Sequence, residues 1–260
     1  MPTDLKKLAE NRPLRAIGLM SGTSMDGIDA AWLDTDGHAV QAFGPAVSLA
    51  YTPAFRARLH GFVSGVPEKD HPAAVEIEAE LTRLHAGAVR AVMEKARATP
   101  DVVGFHGQTI WHRPQVRQTW QMGDGKALAR ALDLPVVYDF RGNDVAQGGQ
   151  GAPLLPLFHA ALAATMPKPI GILNVGGVSN ITWISEKAAS GSNALPVAIV
   201  GFDTGPGNAL LDDWMLKHTG QAMDADGAMA RQGRVDAGLL ARLMAHPFFA
   251  APPPKSLDRL

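Results

Sequence analysis

Apolar positions open the chain as a run from Ala16 to Met20, give way to Ser21-Gly22-Thr23-Ser24, and resume from Ile28 to Leu33. Short apolar runs bounded by Gly and Ser read as strands, so about Arg15 to Met20 and Ile28 to Leu33 are predicted to pair as a hairpin. Asp34-Thr35-Asp36-Gly37 is a second turn signal, and a third strand follows from Val40, which makes an antiparallel meander. Beyond Asp70 and Pro72 the period changes. Ile77, Leu81, Leu84, Ala88 and Val92 recur at steps of three and four, which predicts a helix with one apolar face up to Ala96. It is expected to pack on the meander, with Glu76, Glu78, Glu80, Arg83, Arg90 and Glu94 as its solvated side.

The middle of the chain reads as short buried strands that each deliver a polar turn. Val102 to Phe105 delivers His106-Gly107-Gln108-Thr109, and strand ends of this kind are where ligands bind in open α/β sheets. His106 fits either a core histidine or a cleft residue, whereas His112, beside Arg113-Pro114, reads as a surface residue. Trp120-Gln121-Met122-Gly123-Asp124 leads into a helix from about Lys126 to Leu132, and Leu134 to Tyr138 leads into Asp139-Phe140-Arg141-Gly142-Asn143-Asp144. A glycine-rich loop, Gln147 to Pro153, and a helix from Leu154 to Ala164 come next. The hairpin plan then returns at Gly171 to Ile184 around Gly176-Gly177, and Ser190 to Asn193 reads as a surface loop. Pro196 to Phe202 looks the most buried strand of all and ends in Asp203-Thr204-Gly205-Pro206-Gly207-Asn208, ahead of a helix from Ala209 to His218. Asp224 to Gly227 is a polar turn, and Asp236 to Ala245 a last short helix.

Composition narrows the classes without choosing among them. The 260 residues are 46% apolar and 19% charged, with a formal net charge of −1, and hold one large domain or two modest ones. No Lys/Arg run marks a nucleic-acid surface, no run marks a membrane span, and Met1 to Pro13 is too polar for a secretory leader. The absence of Cys excludes a disulfide framework, and the nine His are scattered, which argues against zinc or iron–sulfur sites. The expectation is a soluble cytoplasmic protein.

The small-residue turn suits phosphate, since Gly22 and Gly27 admit backbone N–H groups to an anion while Ser21, Thr23 and Ser24 add hydroxyl donors. Asp26 then suits a hard divalent cation riding on that phosphate. On these residues alone the same turn is equally an ordinary tight hairpin. Its repetition at Gly171 to Ile184 favours two related lobes offering turns to a shared ligand. Arg141 suits a substrate carboxylate, which its planar fork can clasp. Asp203 is either an N-cap or a general base at the mouth of the expected cleft.

Gly18 to Asp29, His106 to Thr109, the Asp139 to Pro153 loop, Asn174 to Gly177 and Gly201 to Asn208 together resemble the anhydro-N-acetylmuramic acid kinase family, from about residue 14 to residue 256. The resemblance implies a two-lobed α/β fold of the actin, hexokinase and Hsp70 (ribonuclease H-like) ATPases, here a first lobe at 1–165 and a second at 166–260. It implies an ATP- and Mg2+-dependent reaction that turns 1,6-anhydro-N-acetylmuramic acid, from peptidoglycan turnover, into N-acetylmuramic acid 6-phosphate, and it suggests a homodimer. It makes Asp203 the base. The residues Ser21, Gly22, Thr23, Ser24, Met25, Asp26, Gly27 and Ile28 become the ATP phosphate loop, with Asp26 on the metal and Gly176 and Gly177 as the second phosphate turn. By position, His106, Gln108, Arg141, Asp144 and Gln150 fall to the sugar. Family members continue past the position of Lys255-Ser256, so the second lobe is expected to be incomplete at its C-terminus. A non-catalytic remnant that binds the muramyl sugar or acts as an interaction module is the alternative.

Overall fold

The computed structural model describes residues 12–22, 24–65, 68–186, 197–255 and 257. It divides into two compact units, Met1–Ala152 and Pro153–Leu260. In the first unit β1 (Leu14–Ser21), β2 (Gly27–Thr35) and β3 (Val40–Ala50) form the expected meander. Their sheet runs β3-β2-β1-β4-β5. β4 (Val102–Arg113) lies parallel to β1, and on its other edge it meets β6 (Val136–Tyr138) in parallel and then β5 (Gln118–Met122) antiparallel. The result is a mixed sheet in an α/β unit.

Among the described residues two helices lie before β4. α1 (Pro53–Ser64) was not expected: its apolar signal is little more than Phe55 and Leu59, four apart and both buried, while Thr52 caps it by accepting the Phe55 N–H at 3.2 Å. α2 (Pro72–Ala96) is the expected long helix, capped by His71, and it buries Ile77, Leu81, Val89 and Val92 against β2 and β3. Each such side chain contributes about 1.5–3 kcal/mol on leaving water. Its charged side is not wholly solvated. Glu78 accepts the Gly123 N–H at 2.9 Å and so ties the turn after β5 to the helix, while Glu80 pairs with Arg58 of α1 at 2.7 Å. α3 (Gly125–Leu132), capped by Asp124, and α4 (Gly142–Ala146) complete the unit.

The second unit begins ahead of residue 165, where the sequence put the division, because α5 (Leu155–Leu162) packs on β8 and β9. Its sheet is the meander β7 (Ile170–Val175), β8 (Val178–Glu186) and β9 (Val197–Pro206). The hairpin at Gly171 to Ile184 is therefore present, while the surface loop expected at Ser190 to Asn193 lies outside the described residues. β9 is not the buried strand its apolar run suggested. Val200 is 38% exposed, as are Leu173, Val175 and Trp183 to a greater degree, because the described helices leave part of this sheet uncovered. α6 (Ala209–Thr219), α7 (Ala237–Met244) and α8 (Pro247–Ala250) follow. Among the described residues no helix is long and apolar enough to cross a membrane.

One buried group in the first unit carries a pH signature. His85 of α2 is fully buried, its Nδ1–H donates to the Leu81 carbonyl at 2.8 Å, and its ring meets Phe105 edge-on at 4.9 Å. Burial, helped by nearby His106 and opposed by the Leu81 carbonyl, pushes its pKa down to about 4. A base depressed in the folded state binds its proton first in the unfolded chain, so stability falls as pH drops below 6.5 and goes on falling to about 4. Urea unfolding of the wild type against His85→Leu is expected to show a steeper slope in the wild type, the difference worth on the order of 3 kcal/mol across that range. Equal slopes in the two proteins would refute the assignment.

Candidate functional site

The first hairpin tip is built by local bonds rather than left open. Met25 sits at φ 51°, its N–H donates to Gly22 O at 3.1 Å, and its side chain is in the core. Gly27 is required by packing, since a Cβ there would lie 2.4 Å from Leu49 O of β3, so its missing side chain serves the sheet rather than an anion. Ser21 is likewise turned inward: at 2% exposure its hydroxyl donates to Gln108 Oε1 at 2.5 Å and lies 2.7 Å from Tyr51 Oη. Burial, with Asp26 adding to it and the Ser21 bond opposing it, raises the Tyr51 hydroxyl to about 12, which keeps it a neutral donor. Ile28 is core as well. Of the residues expected to face phosphate, this leaves Gly22, Ser24 and Asp26 at the accessible rim, while Thr23 lies outside the described residues. Ser24 donates to Asp26 Oδ1 at 2.9 Å, and Arg56 of α1 reaches Ser24 O at 3.4 Å, bringing a cation beside the turn. Sequence reasoning missed Arg56 because α1 was missed.

Gln108 departs from its expected role. It is 1% exposed; beyond the Ser21 bond, its amide nitrogen donates to Gly22 O at 3.1 Å and Thr109 O at 3.4 Å. A side chain spent in this way buttresses the hairpin from behind and does not face a sugar.

The cause lies in β4. The strand does not end at Phe105 as expected but continues to Arg113 through a bulge: β1 advances from Leu19 to Ser21 while β4 advances from Phe105 to Gln108. Gly107 takes φ +71° there, and a Cβ would lie 2.5 Å from Met122 O. The extra residue shifts the alternation of buried positions from 103 and 105 to 108 and 110. Gln108 is thereby carried to the hairpin and His106 to the loop after β6.

That loop brings together His106, Arg141, Asp144 and Gln150. Arg141 donates through Nε to His106 Nε2 at 3.0 Å and through Nη1 to Gly151 O at 2.6 Å. His106 donates from Nδ1 to Gly107 O at 2.7 Å, so its Nε2 carries the lone pair that Arg141 uses. The Asp144 carboxylate takes the Gly151 N–H at 2.6 Å and its carbonyl the Gly149 N–H at 2.8 Å. Gly151 stands at φ +63°, where a Cβ would meet Val145 Cγ2 at 2.5 Å. Two edges of the Arg141 guanidinium are thus committed inside the protein. Its end, with one N–H on Nη1 and two on Nη2, is what remains to clasp a carboxylate. A cavity of about 390 Å³ opens beside His106, lined also by Gln121, Tyr138, Asp139 and Gly142. His112 is not a plain surface residue: half-buried, it bonds Gln150 O through Nε2 at 2.8 Å and Thr119 Oγ1 through Nδ1 at 2.9 Å.

In the second unit the turn at Gly176-Gly177 docks on the start of α6. Asn208 N–H donates to Gly176 O, and Gly207 N–H to Gly177 O, each at 2.9 Å. A Cβ on Gly207 would come 1.9 Å from Gly176 O, so only glycine permits this contact. Asp203 does not cap α6. It lies three residues inside β9, half-buried, donating its N–H to Lys255 O at 2.9 Å and taking the Leu257 N–H on Oδ2 at 2.8 Å. Asp224 is structural, its carboxylate holding the N–H groups of Met229 and Ala230. Among the described residues no three His, Asp or Glu cluster as a metal cage. The exposed Asp26 carboxylate beside the Ser24 hydroxyl nonetheless fits Mg2+, which takes one or two carboxylates and completes its shell with phosphate and water.

A mixed α/β sheet whose strand ends carry a small-residue hairpin and an Arg-bearing loop defines the class: an α/β protein consistent with an ATPase-like kinase fold. The family follows from the sequence as a whole. The pattern of anhydro-N-acetylmuramic acid kinase matches residues 14–259, and the chain belongs to that family. It is 52% identical over 244 residues to the anhydro-N-acetylmuramic acid kinase of Rhodospirillum rubrum, covering 94% of this chain and 63% of that protein. It is also 52% identical to those of Acidiphilium cryptum (95% and 66% covered) and Azorhizobium caulinodans (95% and 67%). The chain spans about two thirds of the length of these curated relatives.

The His106–Arg141 contact sets a titration. Burial lowers the His106 pKa below the ordinary 6.5, the Arg141 charge lowers it further, and the Gly107 carbonyl opposes both. The neutral ring that accepts from Arg141 is therefore kept at and above 6.5 and lost as pH falls through the lowered folded value. Nitrogen-15 NMR is expected to place the His106 midpoint below 6.5 and to move it upward in Arg141→Ala. A wild-type midpoint at or above 6.5 would overturn the arrangement.

Proposed function

We propose that this chain serves an ATP-dependent kinase that opens 1,6-anhydro-N-acetylmuramic acid with water and phosphorylates the freed O6, giving N-acetylmuramic acid 6-phosphate and ADP. The observation that carries the reading is the 52% identity to kinases of that name over a stretch that includes the hairpin, the Arg141 loop and Asp203. The two units are read as the start of two lobes of an actin- and hexokinase-like ATPase, with the first hairpin at the ATP phosphates and Gly176-Gly177 as a second phosphate turn. ATP and a recycled wall sugar meet in the cytoplasm, which is the proposed compartment.

In this mechanism Asp203 takes a proton from water as the water oxygen bonds to the anomeric carbon. The bond from that carbon to O6 breaks, its electron pair goes to O6, and O6 takes the γ-phosphoryl group as the bond to the β-phosphate breaks. The transition state is loose, so positioning and charge neutralisation do most of the work. Leu257 N–H fixes the orientation of the Asp203 carboxylate, and the Arg141 end fits the lactyl carboxylate of the sugar. Asp26 would hold Mg2+, which when bound neutralises charge on the transferring phosphate. The cavity beside His106 lies within the size range of small-molecule sites.

Release of ADP from ATP and the anhydro sugar, measured with the intact chain, tests the reading. Asp203→Asn is expected to lower kcat by about 10²–10⁴-fold, the worth of a general base, with sugar affinity nearly unchanged. An Asn variant as active as the wild type would remove Asp203 from the chemistry.

A further inference from the structure

We propose that His112 is a positioning residue which latches the glycine-rich loop to β4 and thereby sets the direction in which Arg141 points. The loop needs such a device. Gly148 and Gly151 both take positive φ, and Gly149 lies where a Cβ would collide with the Asp144 carboxylate, so three glycines crowd a short stretch that has little intrinsic stiffness. The bond from His112 Nε2 to Gln150 O pins its middle, one residue before Gly151.

The tautomer is determined by the partners. A carbonyl only accepts, so Nε2 of His112 carries the hydrogen. Nδ1 then holds the lone pair and takes the Thr119 hydroxyl, while Thr119 in turn accepts from Gln121 Nε2 at 2.8 Å. Every donor in the relay meets an acceptor, and β5 holds the ring in place. The consequence travels one residue further. Gly151 O receives Arg141 Nη1, so fixing Gln150 fixes the acceptor that orients the guanidinium. With His106 on Nε, the two histidines of β4 hold Arg141, one directly and one through the loop. The role of Arg141 toward a ligand rests on the reading of this loop as the sugar side.

Glutamine places an amide nitrogen where Nε2 of histidine lies, asparagine only where Nδ1 lies, and phenylalanine offers neither. Amide hydrogen exchange on the intact chain is expected to be faster at Gly151 by about tenfold in His112→Phe and His112→Asn, the loss of one net hydrogen bond. His112→Gln should return close to the wild-type rate, and core amides of α2 should be unchanged in all. Calorimetric binding of 1,6-anhydro-N-acetylmuramic acid should weaken in Phe and Asn and recover in Gln. Wild-type exchange in the Phe variant, or Gln as fast as Phe, would overturn the latch. If the exchange pattern holds while the wild type binds no sugar, the latch stands and the sugar-side reading falls.

Discussion

The first unit depends on one extra residue in one strand. β4 must lie parallel to β1 and β6 over its first part and antiparallel to β5 over its second, and a regular strand would keep the same face inward throughout. The bulge at His106-Gly107 breaks that rule. Because Gly107 can stand at positive φ against the Met122 carbonyl, the strand slips by one residue and turns Gln108 into the core that Phe105 fills two strand positions earlier. A buried amide is costly unless its bonds are met. Here they are met by Ser21 and the Gly22 carbonyl, so the cost of the bulge is offset by fixing the hairpin.

The same strand therefore serves two loops through three polar side chains. Gln108 supports the hairpin, His106 accepts from Arg141, and His112 holds Gln150. Both loops are short of side-chain bulk and would cost entropy to order alone. Tethering them to a strand that is itself paired on both edges is a more rigid solution than bonds between the loops, and two of the three tethers, from Gln108 and His112, end on loop backbone. The second unit uses the related device of a carbonyl set against a glycine at a helix start, Gly176 on Gly207.

How much of this was legible follows from the same geometry. The meander, the long helix and the repeated hairpin were readable because apolar spacing alone specifies them. Other features were not, and three of them shape the first unit's loops. The bulge looked like the end of a strand, because His-Gly-Gln-Thr has the composition of a turn and only pairing with β5 reveals that the strand continues. His112 looked like a surface residue because its partners lie 7 and 38 positions away, on β5 and in the loop. Ser21 and Gln108 looked like ligand contacts because small and amide side chains at a strand end fit ligand and buttress equally well; burial decides between them, and burial is a property of the fold.

Within the Arg141 network, polarity and order are coupled in one direction. Arg141 cannot give up its hydrogens, so both of its inner partners must accept, and each is held in the accepting state by a neighbour: His106 by its own bond to Gly107 O, and Gly151 O by being a carbonyl. The cation is thereby presented end-first with its inner edges already satisfied. On the proposed reading, a ligand carboxylate would gain the remaining hydrogens, and a neutral group of the same shape would gain far less. That arrangement would, on the sugar-side reading proposed for this loop, favour an acid over its amide.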